Sequence, residues 1–467
     1  MRGFSLREHT PSILVAALSS AFGVAVLQFF GVLTTLIRAD DVTGSSDTVA
    51  FFLGFIAWVF IAIAVYTGAV VTSNTFSTII AGRTRTIALM RLIGSSARAQ
   101  RSAVAREGLL VGVIGSVVGA VVGTLVTVGT VEGGQAINVI PGEVEFSYAD
   151  FSLVLPVLTV VLTTWLASWV GSRRVLVVSP MQAIGAATEH NREEASASKG
   201  RSAAAIALFA VGIAILVLST FLGLLTPLAV LLGIVGGLLS FTGLVMGAHL
   251  VMPPALRLVG RLLGSSASSR LAAENAVRYP ERSSRTTIGL VIGVTLVTMF
   301  AVALQSYQNM LYAAQANNPT YYAGIDESLL LTVIIFSVLV GFSAVIAAVG
   351  MVNNLSLSVL QRTRELGLLR ALGFTAKQVR SMILAESAQL TLASVLVGLV
   401  LGTFYGWAGA QSLLGSINGS PGIVVPGIPL VFLAGVVVLA GILTVSASVG
   451  PSRRATRIAP VAALAVE

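Results

Sequence analysis

The sequence is dominated by long apolar runs separated by short polar segments. Hydrophobic residues make up 55% of the 467 positions and charged residues only 10%, whereas soluble domains carry roughly 25% charged residues. About 20 apolar residues are enough for an α-helix to cross a bilayer. Ten runs approach or exceed this length, at 12–36, 49–71, 109–128, 151–170, 203–224, 228–250, 288–304, 329–352, 383–405 and 428–449. The sequence therefore predicts an all-α integral membrane protein with about ten transmembrane helices.

The charges predict how these helices are oriented. If the N-terminus lies in the cytoplasm, 27 of the 28 Lys and Arg residues fall on the cytoplasmic side, with Arg38 as the exception, and nine of the 19 acids fall in outer loops. Cytoplasmic loops of membrane proteins carry such an excess of Lys and Arg. We therefore expect a multi-pass protein of the plasma membrane with both termini in the cytoplasm. The net charge of +9 reflects this topology, so no nucleic-acid partner is expected.

Two basic segments are copies of one pattern. RTRTIALMRLIGSSARAQR at 83–101 aligns without a gap with RTRELGLLRALGFTAKQVR at 362–380, at an offset of 279 residues. The alignment extends into the apolar runs that follow both segments. A repeat with this period indicates a duplicated half. The chain is thus predicted to divide into a first half of four helices (1–186), a linker with a two-helix hairpin (187–269) and a second half of four helices (270–467).

The second copy of the pattern predicts a short helix followed by a sharp turn. Its leucines recur at helical spacing, and Gly373 can end the helix in a left-handed conformation. Thr375 and Gln378 have the spacing of a capping box that starts the next helix. This short helix would lie at the cytoplasmic surface. It would either anchor the chain to anionic lipid headgroups or dock a cytoplasmic partner.

Four stretches carry a resemblance to a known family. They are RTRELGLLRALGFTAKQVRSMILAES at 362–387, RLAAENAVRYPERSSRTTIGLVIGV at 270–294, and the related SRRVLVVSPMQAIGA at 172–186 and SRRATRIAPVAALAV at 452–466. Together they resemble the permease domain of the FtsX-like or MacB-type ABC transporter family. The ten-helix layout is similar to that of Bce-type permeases, without the large extracellular domain that those carry after the seventh helix. The resemblance implies a 4+2+4 fold with two pseudo-symmetric FtsX-like halves and cytoplasmic coupling helices.

The resemblance also implies a separate ATPase. The chain has only two lysines, Lys199 and Lys377, and neither follows a glycine, so it contains no phosphate-binding loop of the GxxxxGK[ST] type. ATP and Mg²⁺ would bind in the partner, and this chain would hold no cofactor, metal or catalytic residue. The implied partners are two copies of a cytoplasmic ABC ATPase and membrane lipid, with no need for a homodimer. The residues that would couple to the ATPases are Arg83, Arg85, Arg91, Gly94, Arg362, Arg364, Glu365, Leu369, Arg370 and Gly373.

The two copies differ in ways that predict unequal coupling. The second has the acid Glu365 beside Arg364 where the first has Thr86, and Ser96 with Ala99 cannot close a capping box in the first. Losing a cap typically costs about 1 kcal/mol. We therefore expect the second copy to transmit more of the ATPase motion.

Two further sets of residues are candidates for packing and for substrate contact. Small residues spaced four apart let membrane helices approach closely, which predicts packing faces at Gly115, Gly119, Gly123, Gly398 and Gly402. Tyrosines cluster at the outer end of the seventh run. They form an aromatic belt at the membrane interface or contact substrate, and they are Tyr307, Tyr312, Tyr321 and Tyr322.

These observations favour a permease subunit that exports or extracts an amphipathic or hydrophobic compound, such as a drug, peptide, lipid or haem-like molecule. The alternative is a signalling or mechanotransmitting protein of the FtsX type, which relays ATP hydrolysis to an extracellular partner. Proton-coupled secondary transport would place ionisable residues in mid-membrane, and the ten runs contain none there.

Overall fold

The computed structural model describes residues 6–38, 93–137, 146–148, 151–172, 199–262, 267–278, 280–320 and 363–457, with isolated positions at 66, at 89–90 and between 329 and 348. The chain forms two compact units, Met1–Ala187 and Thr188–Glu467. Within the described ranges, all regular elements are helices.

The first unit contains three long helices that pack on one another. They are α1 (Leu6–Arg38), α2 (Ala97–Ala136) and α3 (Val154–Gly171), the last preceded by a 3-10 turn at Phe151–Leu153. Of the apolar window of α1, 72% is buried, against 33% for α2 and 28% for α3. Helices α2 and α3 pack on each other as well as on α1, and they turn most of their apolar surface outward, as helices do when lipid is the solvent.

The second unit has the same core with additional helices around it. The elements are α4 (Lys199–Leu222), α5 (Ala229–Met246), α6 (Ala248–Gly260), α7 (Ala267–Arg278), α8 (Pro280–Asn317), α9 (Thr363–Ala371), α10 (Ala376–Leu414) and α11 (Leu430–Arg457). Helix α8 corresponds to α1 and is 83% buried over its apolar window, whereas α11 corresponds to α3 and is 22% buried. Each unit is thus built around the first long helix of its repeat.

Eight described helices are long and apolar enough to cross a membrane, namely α1, α2, the 3-10 turn with α3, α4, α5, α8, α10 and α11. The chain is therefore a multi-pass membrane protein. The predicted spans at 49–71 and 329–352 lie outside the described residues, apart from isolated positions. The ten-helix 4+2+4 layout stays a prediction.

The glycines selected from the sequence lie where two helices pack in close contact. Gly115, Gly119 and Gly123 of α2 face α1, and Gly398 and Gly402 of α10 face α8. A Cβ added at Gly123 would lie 2.6 Å from the carbonyl oxygen of Ala21, and one added at Gly402 would lie 2.5 Å from the Cβ of Thr298. Neither neighbour can yield without moving a helix. The corresponding pairs α1–α2 and α8–α10 therefore use the same close packing.

The hairpin formed by α4 and α5 packs against α10. Its helices meet at glycines, with the Cβ position of Gly236 lying 2.7 Å from the backbone nitrogen of Leu216. The hydroxyl of Ser240 on α5 lies 2.9 Å from the hydroxyl of Tyr405 on α10, and the ring of Phe241 meets that tyrosine edge-on. These contacts attach the hairpin to the second unit.

Candidate functional site

Two turns with the same backbone hydrogen bonds each lead into a long apolar helix, one in each unit. We call residues 89–100 the first turn and residues 368–379 the second turn. Three bonds of the first turn recur in the second at the offset of 279 residues. In the first turn they join Ile93 N to Leu89 O (3.2 Å), Ser95 N to Met90 O (3.0 Å) and Gln100 N to Ser96 O (3.1 Å). In the second they join Leu372 N to Leu368 O (2.9 Å), Phe374 N to Leu369 O (3.1 Å) and Val379 N to Thr375 O (3.1 Å). The sequence repeat is therefore also a repeat of structure.

A glycine with positive φ reverses the chain in both turns. The φ angle is +98° at Gly94 and +101° at Gly373, which confirms the conformation predicted for Gly373. The amide of Gly373 also donates to Arg370 O at 3.1 Å. Together with the bond from Phe374 N to Leu369 O, this gives the second turn the hydrogen-bond pattern of a Schellman motif. A Cβ at either glycine would meet nothing within 4 Å. Backbone conformation, and not space, is therefore what restricts these two positions.

A hydroxyl caps the long helix after each glycine. Ser96 Oγ accepts a bond from Ala99 N at 3.1 Å in the first turn, and Thr375 Oγ1 accepts one from Gln378 N at 3.2 Å in the second. Only the second turn closes the reciprocal bond, from Thr375 N to Gln378 Oε1 at 2.9 Å. The predicted capping box is confirmed, and the first turn has a single cap.

Each turn exposes two large apolar side chains at matching positions. They are Leu89 and Ile93 in the first turn and Leu368 and Leu372 in the second, with Ile93 80% exposed and Leu372 71% exposed. Exposed apolar pairs beside charged residues mark candidate interaction surfaces. Leu366 is buried and Leu372 is exposed, although both belong to the leucines at helical spacing in the second copy. Helix α9 ends at Ala371, so Leu372 turns outward. The apolar character shared at the offset of 279 residues was the signal that could have identified Leu89 and Leu368.

The two turns differ in what lies behind them. In the second unit, Leu366 is buried and Leu369 partly buried in a cluster that includes Ala272 of α7 and Met382 of α10. Met90, the counterpart of Leu369, is 43% exposed. Helix α7 therefore braces the second turn, and no described helix does this for the first.

The structure describes three of the other predicted coupling residues, and their coupling role stays a prediction. Glu365 is exposed and Arg370 partly buried on α9, and both make polar contacts. Arg364 belongs to α9 by its backbone. The remaining coupling candidates, together with two of the four tyrosines, lie outside the described residues: Arg83, Arg85, Arg91, Arg362, Tyr321 and Tyr322.

The two described tyrosines do not share a surface. Tyr307 is largely enclosed and hydrogen-bonded to the side chain of Thr332, whereas Tyr312 is exposed. They are five positions apart on α8, which places them on different faces of the helix. Substrate contact stays a prediction for both, and Tyr312 is the more exposed of the two.

One basic residue, not selected from the sequence, links α2 to α3. The guanidinium of Arg101 lies 3.9 Å from the ring centroid of Trp169 and donates to the carbonyl oxygen of that residue at 3.2 Å. This carbonyl is near the C-terminus of α3, where a cation is favourable. Arg101 therefore ties the helix that follows the first turn to its neighbour.

Comparison with known proteins agrees with this architecture. The model of the FtsX-like permease C-terminal family matches residues 58–180 and 337–460, each range containing one turn. The chain is 32% identical over 145 residues to the "Uncharacterized ABC transporter permease YknZ" of Bacillus subtilis (strain 168), covering 31% of this chain and 34% of the relative. It is 30% identical over 129 residues to the "ABC transporter permease YtrF" of the same organism, covering 26% of this chain and 30% of the relative.

These alignments span about a third of the length of each relative. The two family matches, in contrast, together cover more than half of the chain and coincide with its structural repeat. The chain belongs to the FtsX-like permease family.

Proposed function

We propose that this chain is the membrane subunit of an ABC transporter, that separate ATPase subunits dock on its two turns, and that the complex exports or extracts an amphipathic or hydrophobic compound. The observation that carries the proposal is the repeated turn with its exposed apolar pair. One chain offers two similar docking surfaces, and an ABC ATPase works as two copies.

The connection between each turn and its long helix supports a mechanical role. Helix α10 has 39 residues and α2 has 40, so each is about 60 Å long. Each begins directly at a capped turn, without a flexible joint. A displacement at Leu372 or Ile93 is therefore carried along the whole helix, and the glycine contacts with α8 and α1 pass it to the centre of each unit.

The apolar outer surfaces of the units support the proposed transport of an amphipathic or hydrophobic compound. Such a compound moves laterally between the protein and the lipid. The helices α3 and α11 expose most of their apolar windows. The alternative, relaying ATP hydrolysis to an extracellular partner, uses the same two turns and differs in what the other ends of the helices contact. We favour transport because α3 and α11 expose a large apolar surface along which a hydrophobic compound can move.

Co-purification tests the proposal. We expect the tagged chain, extracted from its native membranes, to retain an ATPase whose peptides contain a phosphate-binding loop. The double variant Ile93→Glu with Leu372→Glu should lose it, because a charge replaces the apolar contact on both surfaces. Leu262→Glu is the matched control, since Leu262 follows α6 and is equally exposed, and it should retain the ATPase. Retention by the double variant would contradict docking on the turns.

A further inference from the structure

At the end of α10 away from the second turn, the chain folds back on itself. We call residues 422–428 the returning segment. The side-chain amide of Gln411 donates to Gly422 O at 2.9 Å and accepts from Val424 N at 3.1 Å. Trp407 Nε1 donates to Val424 O at 2.6 Å, and Gly427 N donates to Ser306 Oγ of α8 at 3.0 Å. Four side-chain bonds thus hold a non-helical segment against two helices.

The bond to Trp407 shows how deep the returning segment lies. Helix α10 ends at Leu414, seven residues beyond Trp407. At 1.5 Å per residue, the bonds to Gln411 and Trp407 place Val424 beside the part of the helix about 5–10 Å before its end. The segment runs beside the apolar helix instead of extending beyond it.

The surface of the returning segment is apolar. Ile423 and Ile428 are exposed and Val425 is 83% exposed, and the apolar exposure continues into α11 at Leu430 and Val431. The sequence from 387 to 452 contains no Lys, Arg, Asp or Glu. The exposed side chains therefore have no charged neighbour along this stretch of the chain.

Three backbone groups of the returning segment, the carbonyl oxygens of Gly422 and Val424 and the amide of Val424, are bonded to side chains of α10. In water, the amide and carbonyl groups of a loop need no dedicated partners. In hydrocarbon each unpaired group is costly, so irregular backbone at that depth must be bonded within the protein. Gln411 is fully buried and gives both ends of its amide to the returning segment. These bonds satisfy the part of the backbone that lies against α10, as a position with little water requires.

We propose that the returning segment lies within the bilayer interface and that Ile423, Val425 and Ile428 contact the acyl chains of membrane lipid. The second unit then has a fixed, non-helical contact with the lipid at the end of α10 opposite the ATPase surface. This inference does not depend on the ATPase, because it concerns only how the segment is solvated.

Spin labelling tests the inference directly, because the chain has no cysteine. A nitroxide at Val425→Cys, in phosphatidylcholine vesicles, should be accessible to oxygen and shielded from a water-soluble nickel chelate. Val438→Cys, exposed on α11, is the lipid reference, and Lys377→Cys, exposed in the second turn, is the water reference. Accessibility to nickel equal to that at Lys377 would overturn the proposal. So would low accessibility to both reagents, because a covering protein would then replace lipid.

A second measurement tests the role of Gln411. Gln411→Leu removes two of the four bonds, so the spectrum of the label at 425 should sharpen as the segment gains motion. Gly409→Ala is the control on the same helix, since its added Cβ would meet nothing within 4 Å, and it should leave the spectrum unchanged. A spectrum unaffected by Gln411→Leu would show that the segment is not held in this way.

Discussion

Leu369 packs in a cluster with Ala272, whereas Met90, at the equivalent position of the first turn, is 43% exposed. A single residue separates the end of α7, which carries Ala272, from the start of α8. The second turn is therefore joined to the central helix of its unit by two routes, through α10 and through α7. We infer that the two turns are mechanically unequal.

The first prediction concerns stability. Leu369→Ala should destabilise the protein by about 2 kcal/mol, the low end for Leu→Ala in a core, because the side chain is only partly buried. Met90→Ala should change stability by less than about 0.5 kcal/mol, as exposed positions do. Thermal unfolding followed by tryptophan fluorescence in detergent measures both. Equal shifts would mean that α7 does not brace the second turn.

The second prediction concerns the two glycines. Gly94→Leu and Gly373→Leu should carry a similar local strain of about 1–2 kcal/mol, because both impose a side chain on a left-handed backbone. We expect Gly373→Leu to lower ATP hydrolysis by the reconstituted complex more strongly, because that turn packs against two helices, α7 and α10. The comparison requires complexes of equal assembly yield. Equal losses would indicate a functionally symmetric permease.

The third prediction concerns charge. Glu365→Ala should lower ATP hydrolysis by the complex, because a charged contact that becomes buried at an interface is worth roughly 2–5 kcal/mol. Arg370→Glu should have a larger effect than Arg91→Glu, since Arg370 lies in the braced turn. Hydrolysis rates at saturating ATP measure both effects. A larger loss from Arg91→Glu would reverse the proposed order of the two turns.

Local sequence rules predicted the local features of the site. The positive φ of Gly373, the capping box of Thr375 and Gln378 and the close approach at Gly402 each depend on a few neighbouring residues or on one helix face. Such features can be read from residue type and spacing.

Contacts between distant segments could not be predicted in this way. The cluster that contains Ala272 and Leu369 joins residues about a hundred positions apart, and alanine is too common in helices to mark a contact. The bonds from Gln411 to the returning segment were missed for a similar reason, because a buried glutamine in an apolar helix shows no preference for one loop. Both features depend on tertiary structure that spacing does not encode.

The fourth prediction concerns the proposed lateral route of the exported compound. Tyr312→Ala, alone or with Tyr321→Ala and Tyr322→Ala, should lower transport without affecting assembly, because Tyr312 is exposed on α8. Tyr307→Phe is the matched control. It removes only the hydroxyl that bonds Thr332 and should leave transport near the level of the unmodified chain. Unchanged efflux in the triple variant would exclude this route.

The stoichiometry of the complex tests the central claim most directly. If the two turns of one chain supply both docking surfaces, native mass spectrometry of the complex with its ATPase should give one copy of this chain, at 48.2 kDa, and two copies of the ATPase. Ile93→Glu or Leu372→Glu alone should each reduce the complex to one ATPase copy. A mass that contains two copies of this chain, each with a single ATPase, would contradict the account.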